Sequence, residues 1–253
     1  MTIGPYTQSV PRDALTGLKI TPGVKYNLKL TIVPTDIYLN FSGQSAVRIN
    51  GKIWMRYNLG ADMTSNPDQD PSVVGLHGNY FTFGKILPMA GKTDTSVNAN
   101  FNGFPAADNA WNSGTEAAPV KNIVNDPCPS GYRVPTQTEF QALIDATVQS
   151  SIGNFSASDT NYSAAKVLTS KKNNNVKVVL PAQGYFSVAG NGAPYSAVWG
   201  NARGLSTAYW TSTSTNNNVG YAFSGNNSQS VTTYTDVQVS GKIWGFNIRC
   251  ISQ

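Results

Sequence analysis

The sequence predicts an α+β fold made of mixed, mostly antiparallel short strands, one or two helices and long loops. Charged residues make up only 12% of the 253 residues, and Asn, Ser, Thr and Gly take their place. Side chains of Asn, Ser and Thr compete with the helical backbone for hydrogen bonds, which favours strands and turns. Short alternating stretches recur along the chain, whereas only one segment has a clear helical pattern.

The N-terminal part of the sequence has the pattern of β-strands, but too few of them for a complete domain. Apolar and polar residues alternate over 26–32, within a predicted strand at 18–39, and residues 36–41 predict another short strand. One or two hairpins are not stable alone in water. Residues 1–44 are therefore expected to be the end of a domain that begins upstream, or an arm that packs on the rest.

A second unit is expected from 45 to 253. Residues 46–57 predict a hairpin around Asn50-Gly51, since this dipeptide is the strongest two-residue hairpin signal. The tetrapeptide GKIW at 51–54 recurs at 241–244, which suggests that the first and last strands of the unit are neighbours. Further strands are predicted at residues 176–180, 208–212, 219–224 and 231–235.

The segment 136–149 predicts a helix. Thr136 and Glu139 have the spacing of a capping box, in which each side chain bonds the backbone of the other residue. Four apolar side chains then fall on one face: Phe140, Leu143, Ile144 and Val148. A shorter helix is predicted at 162–169.

Charge and hydropathy bear on the partners. The net charge is +5, but the basic residues are dispersed, so a nucleic-acid partner is not expected. No window approaches the ~20 apolar residues of a membrane-spanning helix. The N-terminus lacks the pattern of a signal peptide, which predicts either a cytosolic protein or a truncated chain, and we favour truncation.

Catalytic and metal-binding patterns are weak, and no enzyme activity or cofactor is expected. His77 is the single histidine, and its glycine-flanked context predicts a surface position. None of the common nucleophile, phosphate-binding or zinc-protease motifs is found. A loop with Asp62, Asp68 and Asp70 could bind calcium, but solvated loop aspartates explain it better.

Aromatic residues crowd the region 185–221. Rings among amide side chains suit a sugar-binding site, but they also suit the core of a loop-rich domain, and the sequence leaves both readings open. Trp210 is expected in the core, whereas Tyr195 and Trp199 are expected to be more exposed. The candidate ligand-binding residues are Tyr195, Trp199, Tyr209 and Tyr221.

Two cysteines, Cys128 and Cys250, could be free buried thiols or a disulfide. We favour the disulfide because the composition is typical of extracellular proteins, where thiols are oxidised. The bond would close a loop of more than a hundred residues, which strongly restricts the unfolded chain.

Several motifs occur together in an order typical of one family. They are DPCPSGYRVPT at 126–136, LPAQGYF at 180–186, YWTST at 209–213 and NIRCI at 247–251, preceded by INGKIW at 49–54, NLG at 58–60 and GNYFTFG at 78–84. This order resembles the Fibrobacter succinogenes major paralogous domain, found in surface proteins of Bacteroidetes-type bacteria. The chain departs from the family at Phe83 and Lys85, where Trp and Arg are common.

The resemblance implies a C-type-lectin-like fold, related in shape to the sulfatase-modifying enzymes. It implies that the first and last strands of the domain pair, and that Cys128 and Cys250 are bonded to each other at structural positions. It does not imply catalytic activity. The modifying enzymes use a reactive cysteine pair, whereas both cysteines of this chain fall at the structural positions of the family.

Residues 15–33 look like the closing strand of a fimbrillin-type β-sandwich, which would place an export signal upstream. The two resemblances together imply a non-catalytic extracellular protein of the bacterial surface, an accessory or tip subunit of a fimbria that mediates adhesion. Expected partners are other fimbrial subunits and a glycan or host surface protein. The alternatives are a structural subunit that ends a polymer, and a carbohydrate-active or sulfatase-modifying-like enzyme.

Overall fold

The computed structural model describes residues 2–3, 6–7, 23, 35–68, 73–190, 192–200, 202–216, 218–236 and 239–253. The chain divides into two compact units, Met1–Ile32 and Val33–Gln253. In the first unit, β1 (Thr2–Ile3) pairs antiparallel with β2 (Tyr6–Thr7). The strand predicted upstream of Thr35, including the fimbrillin-like segment, lies outside the described residues apart from Gly23.

The second unit contains a five-stranded sheet with the order β3-β4-β5-β15-β6. Its strands are β3 (Ile37–Phe41), β4 (Gln44–Ile49), β5 (Lys52–Met55), β6 (Tyr132–Arg133) and β15 (Ile251–Ser252). All of its pairings are antiparallel. Because β3 pairs along its whole length with β4, this strand is part of the second unit, upstream of the boundary expected at residue 45.

The predicted hairpin is found in this sheet, and the last strand, β15, pairs with β5, the second strand of that hairpin. Asn50 and Gly51 adopt φ values of 49° and 82°, the left-handed conformation that a two-residue hairpin turn requires. Ile251 of β15 lies opposite Trp54 of β5. The interpretation of the GKIW repeat is wrong, however, because the second copy begins in a 3-10 turn at Val239–Ile243 and not in a strand.

The remaining strands of the second unit form small antiparallel sheets. One contains β7 (Thr147–Ile152), β8 (Ala165–Ser170) and β9 (Lys177–Pro181), and another contains β12 (Thr207–Thr215), β13 (Asn218–Ser224) and β14 (Thr232–Asp236). A separate ribbon pairs β10 (Phe186–Ala189) with β11 (Ser196–Trp199). The described part of the chain is therefore mostly antiparallel β with one α-helix.

The helix α1 (Gln137–Asp145) has the predicted capping box, with both reciprocal hydrogen bonds between Thr136 and Glu139. It ends earlier than predicted. The hydroxyl of Thr147 donates to the carbonyls of Leu143 and Ile144, and the chain then enters β7. Val148 consequently lies on a strand and is exposed, not on the apolar face of the helix.

The helix predicted at 162–169 is wrong, because Ala165–Ser170 forms β8. This strand pairs with β7 on one side and β9 on the other, and nearly all of its side chains are buried. A strand buried on both faces loses the alternation of apolar and polar residues, so its sequence resembles that of a buried helix.

The core has two main clusters. One joins α1 to the five-stranded sheet and to the β7–β9 and β12–β14 sheets, and it includes Trp54, Phe140 and Tyr209. The other includes Trp111, Trp210 and the two cysteines. Trp210 is fully buried, as predicted.

Candidate functional site

One face of the β12–β14 sheet carries a group of partly exposed aromatic rings, which we call the aromatic surface. Tyr221 and Phe223 are two residues apart on β13 and therefore point to the same face. Tyr234 of β14 is paired directly with Tyr221. Tyr185 and Trp244 extend the group from segments outside the sheet.

The rings of the aromatic surface contact one another continuously. The rings of Tyr221 and Tyr234 stack with centroids 5.7 Å apart, and those of Tyr185 and Trp244 stack at 6.1 Å. Trp244 lies 6.0 Å from Tyr221, and Phe223 lies 5.8 Å from Tyr185, which links the two stacks. Tyr234 is 45% exposed and the other four rings are half-buried, so the group faces solvent on one side.

The aromatic surface rests on a rigid part of the core. Trp210 and Phe246 are fully buried, with ring centroids 4.6 Å apart, and Phe246 lies 5.2 Å from Tyr221. The indole Nε1 of Trp210 donates a 2.6 Å hydrogen bond to the carbonyl of Phe81. Because the supporting rings are fixed, the exposed rings lose little conformational freedom when a ligand covers them.

The four candidate residues from the sequence do not converge on one site. Tyr221 lies in the aromatic surface. Tyr209 is fully buried, and its hydroxyl accepts a 3.0 Å hydrogen bond from Asn58, so it belongs to the core and cannot touch a ligand. Tyr195 and Trp199 are half-buried around the β10–β11 ribbon.

Trp199 is held by its neighbours. Its Nε1 donates to the carboxylate of Asp159 at 2.6 Å, and the guanidinium of Arg203 lies 4.8 Å from its ring centre. The same guanidinium lies 5.0 Å from the ring of Tyr162, so it is positioned between two aromatic rings. This arrangement has the geometry of a cation–π contact that stabilises the fold.

His77 is fully buried, so the predicted surface position is wrong. Its ring packs edge-on against Tyr162, its Nε2 lies 3.3 Å from the carbonyl of the same residue, and its Nδ1 has no hydrogen-bond partner. Burial, together with the positive charges of Arg203 and Lys92, lowers the pKa of His77 to about 4. The imidazole is therefore neutral at physiological pH.

The acidic loop provides little for a cation. The backbone N–H of Thr64 donates to Asp62 at 3.0 Å and lowers the pKa of that carboxyl group. Asp68 forms a 3.0 Å ion pair with Arg56, and Asp70 lies outside the described residues. Within the part of the chain that the structure describes, no three His, Cys, Asp or Glu side chains are grouped so that they could hold a metal ion.

Cys128 and Cys250 form a disulfide, as predicted, and it joins two positions that are 122 residues apart. Next to it, the guanidinium of Arg249 is buried, and no carboxylate of the described residues pairs with it. It donates to the side-chain oxygen of Asn58 at 2.6 Å and to the carbonyl of Val179 at 2.7 Å. The C-terminal motif is therefore structural.

The motif at 126–136 is also structural. The carboxylate of Asp126 accepts hydrogen bonds from the backbone of Cys128 and Val134, at 2.8 and 2.9 Å. Burial raises the pKa of Asp126 to about 6. Arg133 forms two hydrogen bonds with the carboxylate of Glu139, at 2.6 and 2.7 Å, and so ties the motif to the first turn of α1.

Of the five residues of the aromatic surface, only Tyr221 was among the candidates from the sequence; Tyr185, Phe223, Tyr234 and Trp244 were not. The predicted strands at 219–224 and 231–235 contained a usable signal, because pairing them as a hairpin brings Tyr234 close to Tyr221. No comparable signal existed for Trp244, which follows the 3-10 turn Val239–Ile243 and is not part of a strand.

The fold and this site define a disulfide-bonded, mostly antiparallel β protein with a preorganised aromatic surface. The model of the Fibrobacter succinogenes major domain matches residues 47–252, and the chain belongs to this family. Comparisons with curated proteins and with solved structures found no match. Among the described residues, no helix is long and apolar enough to cross a membrane.

Proposed function

We propose that this chain is a non-catalytic, extracytoplasmic subunit of a fimbria-type surface structure, and that it adheres to its ligand through the aromatic surface. The observation that carries the proposal is the group of five partly exposed rings fixed over a buried core. Tyrosine and tryptophan are enriched at binding interfaces because they offer a large apolar area with a polar edge and little side-chain entropy to lose.

The disulfide supports a location outside the cytoplasm, since disulfides persist in oxidising compartments. The expected C-type-lectin-like fold agrees with the short antiparallel strands, the single α-helix of the described residues and the pairing of β5 with β15. In such a fold the loops and short sheets are free to carry a binding surface while the paired terminal strands hold the domain closed.

The non-catalytic part of the proposal rests on how the reactive side chains are used. Both cysteines are bonded to each other, so neither is available as a nucleophile. The single histidine is buried and hydrogen-bonded to a backbone carbonyl. Incubation with sulfatase peptides and a panel of glycans tests this part, and turnover of either substrate would overturn it.

An adhesion assay with protein-coated beads tests the proposed role of the aromatic surface. Beads carrying the purified protein are applied to host epithelial cells and to immobilised host glycoproteins, and the retained beads are counted. Tyr234→Ser removes the most exposed ring, and we expect it to lower retention severalfold. Loss of one well-placed aromatic contact at an interface typically costs about 1–2 kcal/mol.

Two control variants separate this surface from others. Val148→Ser replaces an apolar strand residue that is 59% exposed on β7, and Ile123→Ser replaces one that is 80% exposed on a loop. Both are expected to leave retention unchanged. Loss of retention in Ile123→Ser but not in Tyr234→Ser would reject the aromatic surface as the adhesive surface.

A second candidate is a structural role in assembly. β14 lies at the edge of its sheet, with β13 as its one neighbour among the described strands, and its outer edge could pair with a strand of another subunit. Co-purification with fimbrial subunits, combined with no bead retention by the wild-type protein, would favour assembly over adhesion.

A further inference from the structure

A polar cavity lies between residues 149–151 of β7, Lys166 of β8 and residues 227–230 of the loop that joins β13 to β14. It has a volume of about 240 Å³. The side chains that line it carry hydroxyl or amide groups, apart from the ammonium of Lys166. The wall of the cavity therefore contains one positive charge and no carboxylate.

Lys166 is a buried cation that no carboxylate neutralises. The residue is only 3% exposed, and none of the ion pairs among the described residues includes it. Buried charges in proteins are normally paired, because it is costly to remove an unpaired charge from water. Burial lowers the pKa of Lys166 for the same reason. An anion bound beside the ammonium would supply the missing opposite charge.

The ammonium of Lys166 lies where two walls of the cavity meet. It donates to the hydroxyl of Ser151 on β7 at 2.8 Å and to the carbonyl of Asn227 in the loop at 2.6 Å. The hydroxyl of Ser151 donates in turn to the same carbonyl, at 3.0 Å. Both acceptors belong to residues that line the cavity. Because an ammonium has three N–H donors, one donor of Lys166 is left for a ligand.

Lys121 shows how a largely buried ammonium is fully satisfied elsewhere in this chain. Its Nζ donates to three backbone carbonyls within 128–132, and it lies 3.7 Å from the carboxylate of Asp126. Three acceptors match its three donors, and the carboxylate balances its charge. Lys166 has two such acceptors and no carboxylate, so it differs from Lys121 in both respects.

The loop that forms one wall is held in place by its own hydrogen bonds. The side chain of Gln149 on β7 accepts from the backbone N–H of Val231 at 2.7 Å and donates to the carbonyl of the same residue at 3.0 Å. The side-chain oxygen of Asn226 accepts from the backbone N–H groups of Ser228 and Gln229, at 3.0 and 3.1 Å. Because this wall is already ordered, a ligand loses little binding free energy in ordering it.

The chemistry of the wall selects the kind of ligand. A lysine ammonium is a compact charge that can pair with a carboxylate or a sulfate, and hydrogen bonds between such charged groups are stronger than neutral ones. The exposed side chains of Ser150, Asn227 and Ser230 make no hydrogen bond within the described part of the chain. Their hydroxyl and amide groups are therefore free to bond the polar atoms of a ligand.

We propose that this cavity binds a carboxylate or sulfate group, which pairs with the ammonium of Lys166 and uses its third N–H donor. The volume corresponds to about eight water molecules at about 30 Å³ each. This is more than one such group fills, so the cavity also has room for part of a molecule that carries the group. The free ion and an anionic group on a hydroxyl-bearing carrier, such as an acidic saccharide, are the two sources to be distinguished.

Titration of the ¹⁵N-labelled protein, at an ionic strength of about 0.1 M that screens remote charges, tests the proposal. The probes are acetate and sulfate as free ions, and glucuronate and sulfated glucose as hydroxyl-bearing carriers, with glucose as the neutral control. We expect the anions, but not glucose, to shift the backbone amide signals of 149–151, 166 and 227–230. Tighter binding of the two sugar derivatives would assign the anionic group to an acidic saccharide, and equal binding would assign it to a free ion. Absence of any anion-dependent shift at these amides, or an equal shift with glucose, would overturn the proposal.

A matched pair of lysine variants separates this site from a general effect of the positive net charge. Lys166→Met removes the ammonium but keeps most of the apolar stem, and it should weaken anion binding at least about tenfold, the worth of one charge-assisted hydrogen bond. Lys171→Met removes the same charge from an exposed residue just after β8 and outside the cavity, and it should leave the affinity nearly unchanged. Equal affinities of the two variants would overturn the proposal.

The side-chain ¹⁵Nζ signal of Lys166 gives a second readout, in the unmodified protein. It is assigned by through-bond correlation with the backbone of the same residue. We expect the Nζ signal to shift on addition of the anion, with the same dissociation constant as the backbone amides of the cavity. An Nζ signal that stays in place while those amides shift would overturn the pairing with Lys166.

The cavity shares no residue with the aromatic surface, so the two proposals can fail separately. Tyr234→Ser should leave anion binding unchanged, and Lys166→Met should leave bead retention unchanged on surfaces without acidic groups. Loss of anion binding in Tyr234→Ser, with Lys166→Met unaffected, would move the anion site to the aromatic surface and overturn the assignment made here.

Discussion

The buried imidazole of His77 makes the stability of the fold depend on pH. In the folded protein its pKa is lowered from 6.5 to about 4 by burial and by nearby positive charges. Between these values the unfolded chain binds a proton that the folded chain does not. Stability is therefore fully present above about pH 6.5, falls as the pH decreases, and stops changing below about pH 4.

The size of this effect follows from the two pKa values. At about 1.4 kcal/mol per pKa unit, the difference between 6.5 and about 4 corresponds to about 3 kcal/mol of unfolding free energy. Glu139, whose pKa is lowered overall, adds loss of stability of the same sign below its ordinary value of 4.5. Asp126, whose pKa is raised, contributes stability that is lost as the pH rises from 3.8 through about 6.

Comparison with His77→Gln isolates the histidine from these carboxyl groups. The glutamine side chain keeps an N–H group that can donate to the carbonyl of Tyr162, but it does not titrate. Urea denaturation, followed by tryptophan fluorescence between about pH 8 and about pH 4, should show a stability advantage of the wild type that shrinks by about 3 kcal/mol. Parallel curves for the two proteins, or an imidazole NMR signal that titrates near its ordinary pKa, would refute this reasoning.

Three further changes have expected costs that follow from single features of the structure. Replacing Cys128 and Cys250 together by Ser opens a loop of 122 residues and should lower the unfolding free energy by about 5 kcal/mol, measured by urea denaturation; a loss below about 1 kcal/mol would contradict the pairing. Glu139→Gln leaves a buried guanidinium without its carboxylate and should cost about 3 kcal/mol, and a neutral result in thermal unfolding would contradict the importance of this ion pair. Gly153→Ala would place its Cβ 1.7 Å from a backbone oxygen at a φ of +78° and should cost about 2 kcal/mol or more, whereas Gly190→Ala, with no atom within 4 Å, should cost clearly less in the same assay, and equal costs would contradict the clash.

Features of the fold that depend on local chemistry could be predicted from the sequence. The Asn50-Gly51 turn follows from the ease with which these residues adopt positive φ, and the capping box of α1 follows from the spacing of Thr136 and Glu139. The end of α1 was harder to predict from the sequence, because it depends on the pairing of β7 with β8. The apolar periodicity that includes Val148 continues past the point where the helix stops.

Burial was predicted poorly wherever it depends on residues remote in the sequence. His77 lies in a glycine-flanked segment that suggests exposure, but Tyr162 and Arg203, far along the chain, pack around it. Trp210 is in the core as expected, but Tyr209, which points to the opposite face of β12, is also fully buried because both faces of that strand are covered. Composition and local pattern contain no information on these contacts.

The candidate site could be predicted only in part for the same reason. Tyr221 was selected because it lies in an aromatic-rich region, but its partners come from a cross-strand pair with Tyr234 and from the turn before Trp244. The disulfide, in contrast, was expected both from composition and from family resemblance. The motifs that stabilise the fold, such as the disulfide, were therefore easier to predict from the sequence than the aromatic surface.

Covalent labelling of tyrosine and tryptophan side chains is the most direct test of the claim that the aromatic surface is the adhesive one. The protein is labelled free and while bound to the glycoprotein or cell surface that retains it best, and modified peptides are quantified by mass spectrometry. If the aromatic surface is the adhesive one, Tyr234 and Trp244 are strongly protected in the bound state and the labelling of Tyr195 is unchanged. Unchanged labelling of Tyr234 and Trp244 in a bound protein would contradict that claim.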